Sequence, residues 1–295
     1  MGSKRLWVLV VGAMVLARPS FSAGEFSVQA EIRGTFTDNV FLEPKGKSDF
    51  ITRESVGLRQ TLLSEHGAKL SLKADFRRFD WAQGSFEGYT YSQIGLDYNK
   101  RLGRARALSF GYAYLTNDSF DADAPFHRFQ GHRLFVSYEL PMSRRSSLEA
   151  RAVVGTRRYG PGEEGRNGTG QSVGLTWTTP WDERTRTQLL ALYENEGTRD
   201  PSRAWDRYSV AGSVRRYLRR STEGPWMELG YTHRYRAFRA TTRKDNRDIL
   251  GLKLTYPIGR DKSLWVGANS IDNDSTHANH TYQEHDLEFG LLGRF

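Results

Sequence analysis

The sequence predicts an all-β protein: a transmembrane antiparallel up-and-down β-barrel of 14 strands, with 12 or 16 as the alternative counts. Three observations predict it. After residue 25, apolar and polar residues alternate with a period of two almost everywhere, which gives strands with one apolar and one polar face. Many of these segments run 10–14 residues. A soluble strand averages ~5–6 residues, and a tilted strand crossing a bilayer needs ~9–11. The connections alternate between short and long, as in barrels with tight turns at one end and longer loops at the other.

The amino terminus precedes the strands. Lys4 and Arg5 lead into the apolar run Leu6–Ala17, and Arg18-Pro19-Ser20-Phe21-Ser22-Ala23 follows. A basic start, a short apolar core and small residues at the end describe a signal peptide over residues 1–23, cleaved near Ser22 or Ala23. The run is 12 residues long. A spanning helix needs ~20. The barrel domain is then 24–295. Loss of Lys4, Arg5 and Arg18 lowers the formal net charge from +9 to +6, a weak excess that does not indicate nucleic acid. Absence of Cys excludes disulfide frameworks, Cys-bound zinc and thiol catalysis. A negative mean hydropathy excludes a bundle of membrane helices.

The strands follow in order. Segments 25–37 and 50–63 come first. In 68–79, Leu70, Leu72, Ala74 and Phe76 alternate with Ser71, Lys73, Asp75 and Arg77. After 88–99, segment 105–116 alternates Leu108, Phe110, Tyr112 and Tyr114 with small residues. In 128–140 the apolar series is Leu134, Val136, Tyr138 and Leu140, and in 146–158 it is Leu148, Ala150, Ala152 and Val154. Segments 170–179, 185–196, 205–218 and 225–237 lead to 246–257, where Leu250, Leu252, Leu254 and Tyr256 form one face. Segments 262–272 and 281–295 complete the set, and an even count leaves both termini at one end. Tyr112, Tyr114, Tyr138, Trp177, Tyr193, Tyr208, Tyr231, Tyr235 and Tyr256 lie on the apolar face near strand ends, where amphipathic rings suit a headgroup girdle. In the last strand Leu287, Phe289, Leu291, Gly293 and Phe295 share a face. This ending resembles the C-terminal signal of bacterial outer-membrane barrels, which implies recognition by the barrel-assembly machinery.

If the apolar face meets lipid, the other face meets a lumen. Its expected basic residues are Arg53, Arg59, Lys73, Arg77, Arg133, Arg151, Arg157, Arg215, Arg234, Arg236, Lys253 and Arg294, and its acids Asp75, Asp97, Glu139, Glu149, Glu228, Asp286 and Glu288. Fourteen strands give a backbone diameter of roughly 28 Å and a path on the order of 10–15 Å. Arg-rich walls concentrate anions bearing uronate, sulfate or phosphate groups. The alternative is a lumen filled by ion pairs, with Arg133/Glu139 facing Glu149/Arg151 and Glu228 facing Arg215. His277, His280 and His285 do not form a diagnostic metal spacing, and His233 beside Arg234 has no nucleophile near it in sequence. No catalytic residue, metal or cofactor is expected.

The first loop and second strand read Thr37-Asp38-Asn39-Val40-Phe41-Leu42-Glu43-Pro44, Lys47-Ser48-Asp49-Phe50-Ile51-Thr52 and Val56-Gly57-Leu58. This resembles the opening of the outer-membrane β-barrel family of exopolysaccharide operons, the second type of β-barrel porin. The match covers about 25 residues in sequence and the whole chain in architecture. The resemblance implies a site in the outer membrane of a Gram-negative bacterium, surrounded by its lipid. It also implies a role in secreting or assembling a surface polysaccharide, beside a periplasmic polysaccharide-export protein. An anionic polysaccharide fits the basic walls. The residues leave three other readings open: a general diffusion porin favouring small anions, a structural barrel holding polymer at the cell surface, and a membrane hydrolase.

Overall fold

A computed structural model describes residues 25–40, 42–83, 88–103, 106–119, 129–219 and 224–295. The expected signal peptide and its cleavage point lie outside the described residues. Among those described, the strands are β1 (Phe26–Thr37), β2 (Asp49–Glu65), β3 (Ala68–Trp81), β4 (Tyr89–Arg101), β5 (Ala107–Ser119), β6 (Phe129–Pro141) and β7 (Ser147–Tyr159). They continue as β8 (Gly168–Pro180), β9 (Thr185–Thr198), β10 (Trp205–Tyr217), β11 (Trp226–Phe238), β12 (Lys244–Ile258), β13 (Lys262–Ser275) and β14 (Tyr282–Arg294). Each strand pairs antiparallel with its neighbours in sequence, and β1 closes on β14 into a 14-stranded barrel.

Every expected segment is a strand, and several are longer than the hydrophobic pattern suggests. The ladder of β12 and β13 continues outward through Asp245↔Ser275, beyond the last apolar residue. There Ser275 donates its hydroxyl to Asp245 at 2.7 Å, so polar contacts carry the pairing where hydrophobic periodicity has ended. The same effect shortens one outer loop. The β11–β12 connection is 239–243, whereas the opposite-end connection between β10 and β11 is 218–225. The outer turn is tightened by the Phe238 N–H bond to the Arg243 carbonyl at 3.1 Å. At the other end the β2–β3 turn is two residues long. His66 and Gly67 both have positive φ (49° and 75°), as a twisted two-residue hairpin requires.

Following the register once around the sheet returns to β1 about 18 residues along it. With ordinary strand spacing this shear corresponds to a tilt of about 41° and a backbone diameter of about 29 Å.

Paired residues in adjacent strands share a side of the sheet, so the register separates two faces. One carries Ile32, Leu96, Phe110, Leu134, Val136, Val173, Val210, Leu252, Leu254, Phe289 and Leu291, all exposed. The other carries the charges. Arg157 on β7 reaches Glu196 on β9 at 3.2 Å, and Arg247 on β12 reaches Glu284 on β14 at 3.7 Å. Contacts that skip a strand need converging side chains, which places the charged face inside. The apolar face is outside, where water would oppose so much exposed hydrocarbon and lipid would not. On β12 the outer apolar positions run from Leu250 to Ile258. At this tilt they span roughly 20 Å of height. The nine expected aromatic residues all lie on this outer face. Tyr193, Tyr208 and Tyr235 form a contiguous row with ring centroids 5.0 and 6.5 Å apart. Tyr112, Tyr114 and Tyr231 depart from the girdle expectation. They sit mid-strand, and the Tyr112 hydroxyl meets His132 Nδ1 at 2.7 Å.

The closing seam between β1 and β14 is fastened at both ends. Below, Val28 and Phe295 exchange two backbone hydrogen bonds at 2.8 Å. Above, the Asp38 carboxylate accepts from the His285 N–H at 2.7 Å, and the Thr37 hydroxyl donates to Glu284 at 3.0 Å. Asn39 is 2% exposed and donates to the carbonyls of Glu43 and Gln283 at 2.8 Å while accepting from the Glu43 N–H at 3.1 Å. The Thr37-Asp38-Asn39 motif thus stitches the seam and folds the β1–β2 loop.

Candidate functional site

The register places all twelve expected basic residues on the inner face: Arg53, Arg59, Lys73, Arg77, Arg133, Arg151, Arg157, Arg215, Arg234, Arg236, Lys253 and Arg294. Leu287, Phe289, Leu291 and Phe295 lie on the outer face. The inner face also holds charges that sequence reasoning missed. Arg33, Lys69, Arg101, Arg186, Arg207 and Arg247 join the basic residues, and Glu31, Asp49, Glu194, Glu196, Asp245 and Glu284 join the acidic ones. These additions cancel, so the interior keeps its basic excess. Strict alternation would have found them: Arg33 is two residues beyond Glu31, and Arg207 is two before Ser209.

The inner wall divides into regions of different character. Around β1–β3, Arg53, Arg59, Lys73 and Arg77 line a recess of about 510 Å³ with Glu31 and Asp75. Here most charge is matched. Arg53 pairs with Glu31 at 2.6 Å, Arg33 with Glu288, and Lys73 with Asp97. Arg59 reaches the Ser71 hydroxyl at 3.4 Å. Next to this region Trp265 lies flat against Gly290, a position where any Cβ would collide with the ring at 2.7 Å. Lys253 and Arg33 sit over that ring at 4.0 and 5.4 Å, so the indole fixes two cations in the wall. Arg215 pairs with Glu228 at 2.6 Å.

A second region of about 580 Å³ is lined by Arg133, Arg151, Arg157 and Arg207 with Glu194 and Glu196. The expected ladder of Arg133/Glu139 with Glu149/Arg151 does not form. Glu139 faces Glu149 directly, Arg133 faces Gly155, and Arg151 faces Ser137. The register is one pair away from the charge match, and Arg151 instead covers the Phe135 ring at 4.5 Å. Arg77, Arg133 and Arg151 form none of the ion pairs found among the described residues.

The third region is at the outer mouth, on β10–β14. Arg207, Arg234, Arg236 and Arg247 line a recess of about 350 Å³ with Arg243 of the β11–β12 loop and Leu42 of the β1–β2 loop. Leu42 stands five strands away from β10 around the wall, so the loop reaches inward over the lumen. Its backbone there has φ 56°, a conformation sustained by the Asn39 hydrogen bonds. His280, in the loop before β14, also lines this recess. Burial holds its pKa below the usual value, and nearby Arg243 adds to the effect. Chemically, the interior is a path lined by many ion pairs, and Arg77, Arg133, Arg151, Arg234 and Arg236 form none with the described residues. Among the described residues no group of three metal-ligating side chains occurs.

The chain is similar in fold to solved outer-membrane barrels. An anion-selective porin from Comamonas acidovorans superposes with TM-score 0.55 at 11% identity, covering 92% of this chain and 99% of that one. A bacterial polysaccharide outer membrane secretin gives TM-score 0.56 at 11% identity, with 91% and 98% covered. The outer membrane channel DcaP of Acinetobacter baumannii gives 0.57 at 12% identity, with 94% and 99% covered. At these identities the likeness is one of fold: a closed β-barrel over nearly the whole of each chain. No protein-family model matches the sequence, and no curated protein sequence does.

Proposed function

We propose that the protein is an outer-membrane channel whose cationic lumen serves export or surface assembly of an anionic exopolysaccharide. The observation that carries this reading is the set of inward guanidinium groups that form no ion pair among the described residues, Arg77, Arg133, Arg151, Arg234 and Arg236. They come from β3, β6, β7 and β11, so the unmatched charge surrounds the path instead of forming one patch. A polymer with an acid group on each repeat would meet a series of weak attractions, strong enough to admit it and weak enough to release it. A backbone diameter of about 29 Å, less two layers of side chains, leaves a path on the order of 10–15 Å, wide enough for an extended sugar chain. The likeness of the first loop to barrels of exopolysaccharide operons supports the same role. It also supports a periplasmic polysaccharide-export protein as partner, with the barrel-assembly machinery reading Phe295.

A second reading is a diffusion porin for small anionic solutes. The inward β1–β2 loop favours it, since a narrowed mouth suits small solutes. A deletion strain separates the two. Polymer retained in the periplasm and lost from the cell surface supports export. Unchanged surface polymer with slower uptake of small anions supports the porin.

A further inference from the structure

We infer that the outer mouth holds a discrete oxyanion-binding site, built on Arg234 and Arg236 of β11 between Arg207 and Arg247 and roofed by Leu42. This deepens the reading of the lumen as a cationic path by naming one place where an acid group stops.

The register sets Arg207 directly opposite Arg236, and Arg234 directly opposite Arg247. Like charges facing each other across a ladder repel, and two such pairs adjoin here. Elsewhere in the lumen the same arrangement is relieved by carboxylates: Arg33 faces Arg53, but Glu288 and Glu31 answer them. At the mouth the local acids are committed, including Asp245, which stands opposite Arg236 on β12. Glu194 is held by Arg207 at 2.5 Å, and Asp245 by Arg243 at 2.8 and 3.0 Å. Glu284 accepts from Thr37 and stands 3.7 Å from Arg247. Arg234 and Arg236 take part in none of the hydrogen bonds or ion pairs among the described residues. The Arg247 Nε is buried with no partner.

Three of the four guanidinium groups are nonetheless fixed in place. Arg207 and Arg236 lie over Trp205 at 4.9 and 5.3 Å, and Arg247 over Tyr282 at 5.5 Å. Arg236, held by its face and engaged by no carboxylate among the described residues, keeps its N–H edge free. That edge matches the two oxygens of a carboxylate or sulfate. Oriented donors, an excess of positive charge and a recess of about 350 Å³ together describe a site for one oxyanion group, free or carried on a saccharide.

The test is titration calorimetry at low salt on the detergent-folded barrel, with inorganic sulfate, trigalacturonate and neutral maltotriose as probes. Saturable binding of sulfate or trigalacturonate, but not of maltotriose, is expected. Arg234→Gln/Arg236→Gln should weaken it at least tenfold. Arg144→Gln/Arg145→Gln, in the β6–β7 turn at the opposite end of the barrel, should change it by less than about threefold. Heat-modifiable migration checks that both variants fold. Tighter trigalacturonate than sulfate assigns the site to an acidic saccharide, and the reverse assigns it to a free ion. No saturable binding of either anion to the unmodified protein overturns the site, as does equal weakening by both variants. Anion preference in planar bilayers reads the path independently, so a failed site with preserved preference leaves the path standing.

Discussion

Replacing Leu254 with Arg probes whether the outer face meets lipid. Leu254 lies midway along the apolar series Leu250, Leu252, Leu254, Tyr256 and Ile258 of β12, facing outward and 41% exposed. Each two-residue step along the tilted strand rises about 5 Å, so Leu254 is about 10 Å from either edge of the band. An Arg on the lipid face costs ≈2–4 kcal/mol at the midplane and ≈0–1 near the interface. Asp248 stands about 15 Å above Leu254, outside the apolar series, and Asp248→Arg should cost under about 1 kcal/mol. Urea unfolding of vesicle-inserted protein, followed by Trp fluorescence, measures both. Leu254→Arg should lose roughly 2–4 kcal/mol while Asp248→Arg stays within about 1 kcal/mol of the parent. Equal and small effects at the two positions would refute a lipid-facing band.

Three further outcomes are expected. Phe295→Asp puts a charge on an outward ring position that is 53% exposed, and should reduce the heat-modifiable fraction in outer membranes several-fold; unchanged insertion counts against a role in assembly. Asn39→Ala removes three hydrogen bonds at the buried base of the β1–β2 loop. It should raise amide exchange at Val40 and Glu43 by at least tenfold while leaving β7–β9 unchanged, and equal protection in the loop would contradict the clamp. His280, held below its usual pKa by burial and by Arg243, is neutral at pH 7 and gains a proton only on acidification, which Asp245 alone favours among its charged neighbours. Sulfate affinity at the mouth should therefore rise from pH 7 toward pH 5, and His280→Gln should reduce the rise; an identical pH profile in the variant argues against a His280 contribution.

The architecture was legible because one physical rule, alternation over long segments, operates along the whole chain. Leu250, Leu252, Leu254 and Tyr256 announce a strand and its outer face without any knowledge of neighbours. The inner face was legible residue by residue, since Arg133 and Arg151 must point away from Leu134 and Ala152. Register was not. Whether Arg151 meets Glu139 or Ser137 depends on a shift that alternation does not encode, and the expected ladder was lost to that shift. The cluster at the mouth was missed for the same reason: Arg207, Arg234 and Arg247 are distant in sequence and adjoin only through the pairing of β10, β11 and β12. The Thr37-Asp38-Asn39 motif was visible as a resemblance, but its work at the β1–β14 seam required the closed barrel.

Reversal potential across a planar bilayer under a KCl gradient reads the charge of the lumen wall directly. Screening lengths are ~10 Å at 0.1 M salt and ~3 Å at 1 M, so walls around a path on the order of 10–15 Å should act strongly only in dilute salt. Chloride preference is expected at low salt, declining as salt rises, with a weaker preference in Arg133→Gln/Arg151→Gln while the barrel still folds. Potassium preference in the unmodified protein at low salt would contradict a cationic lumen.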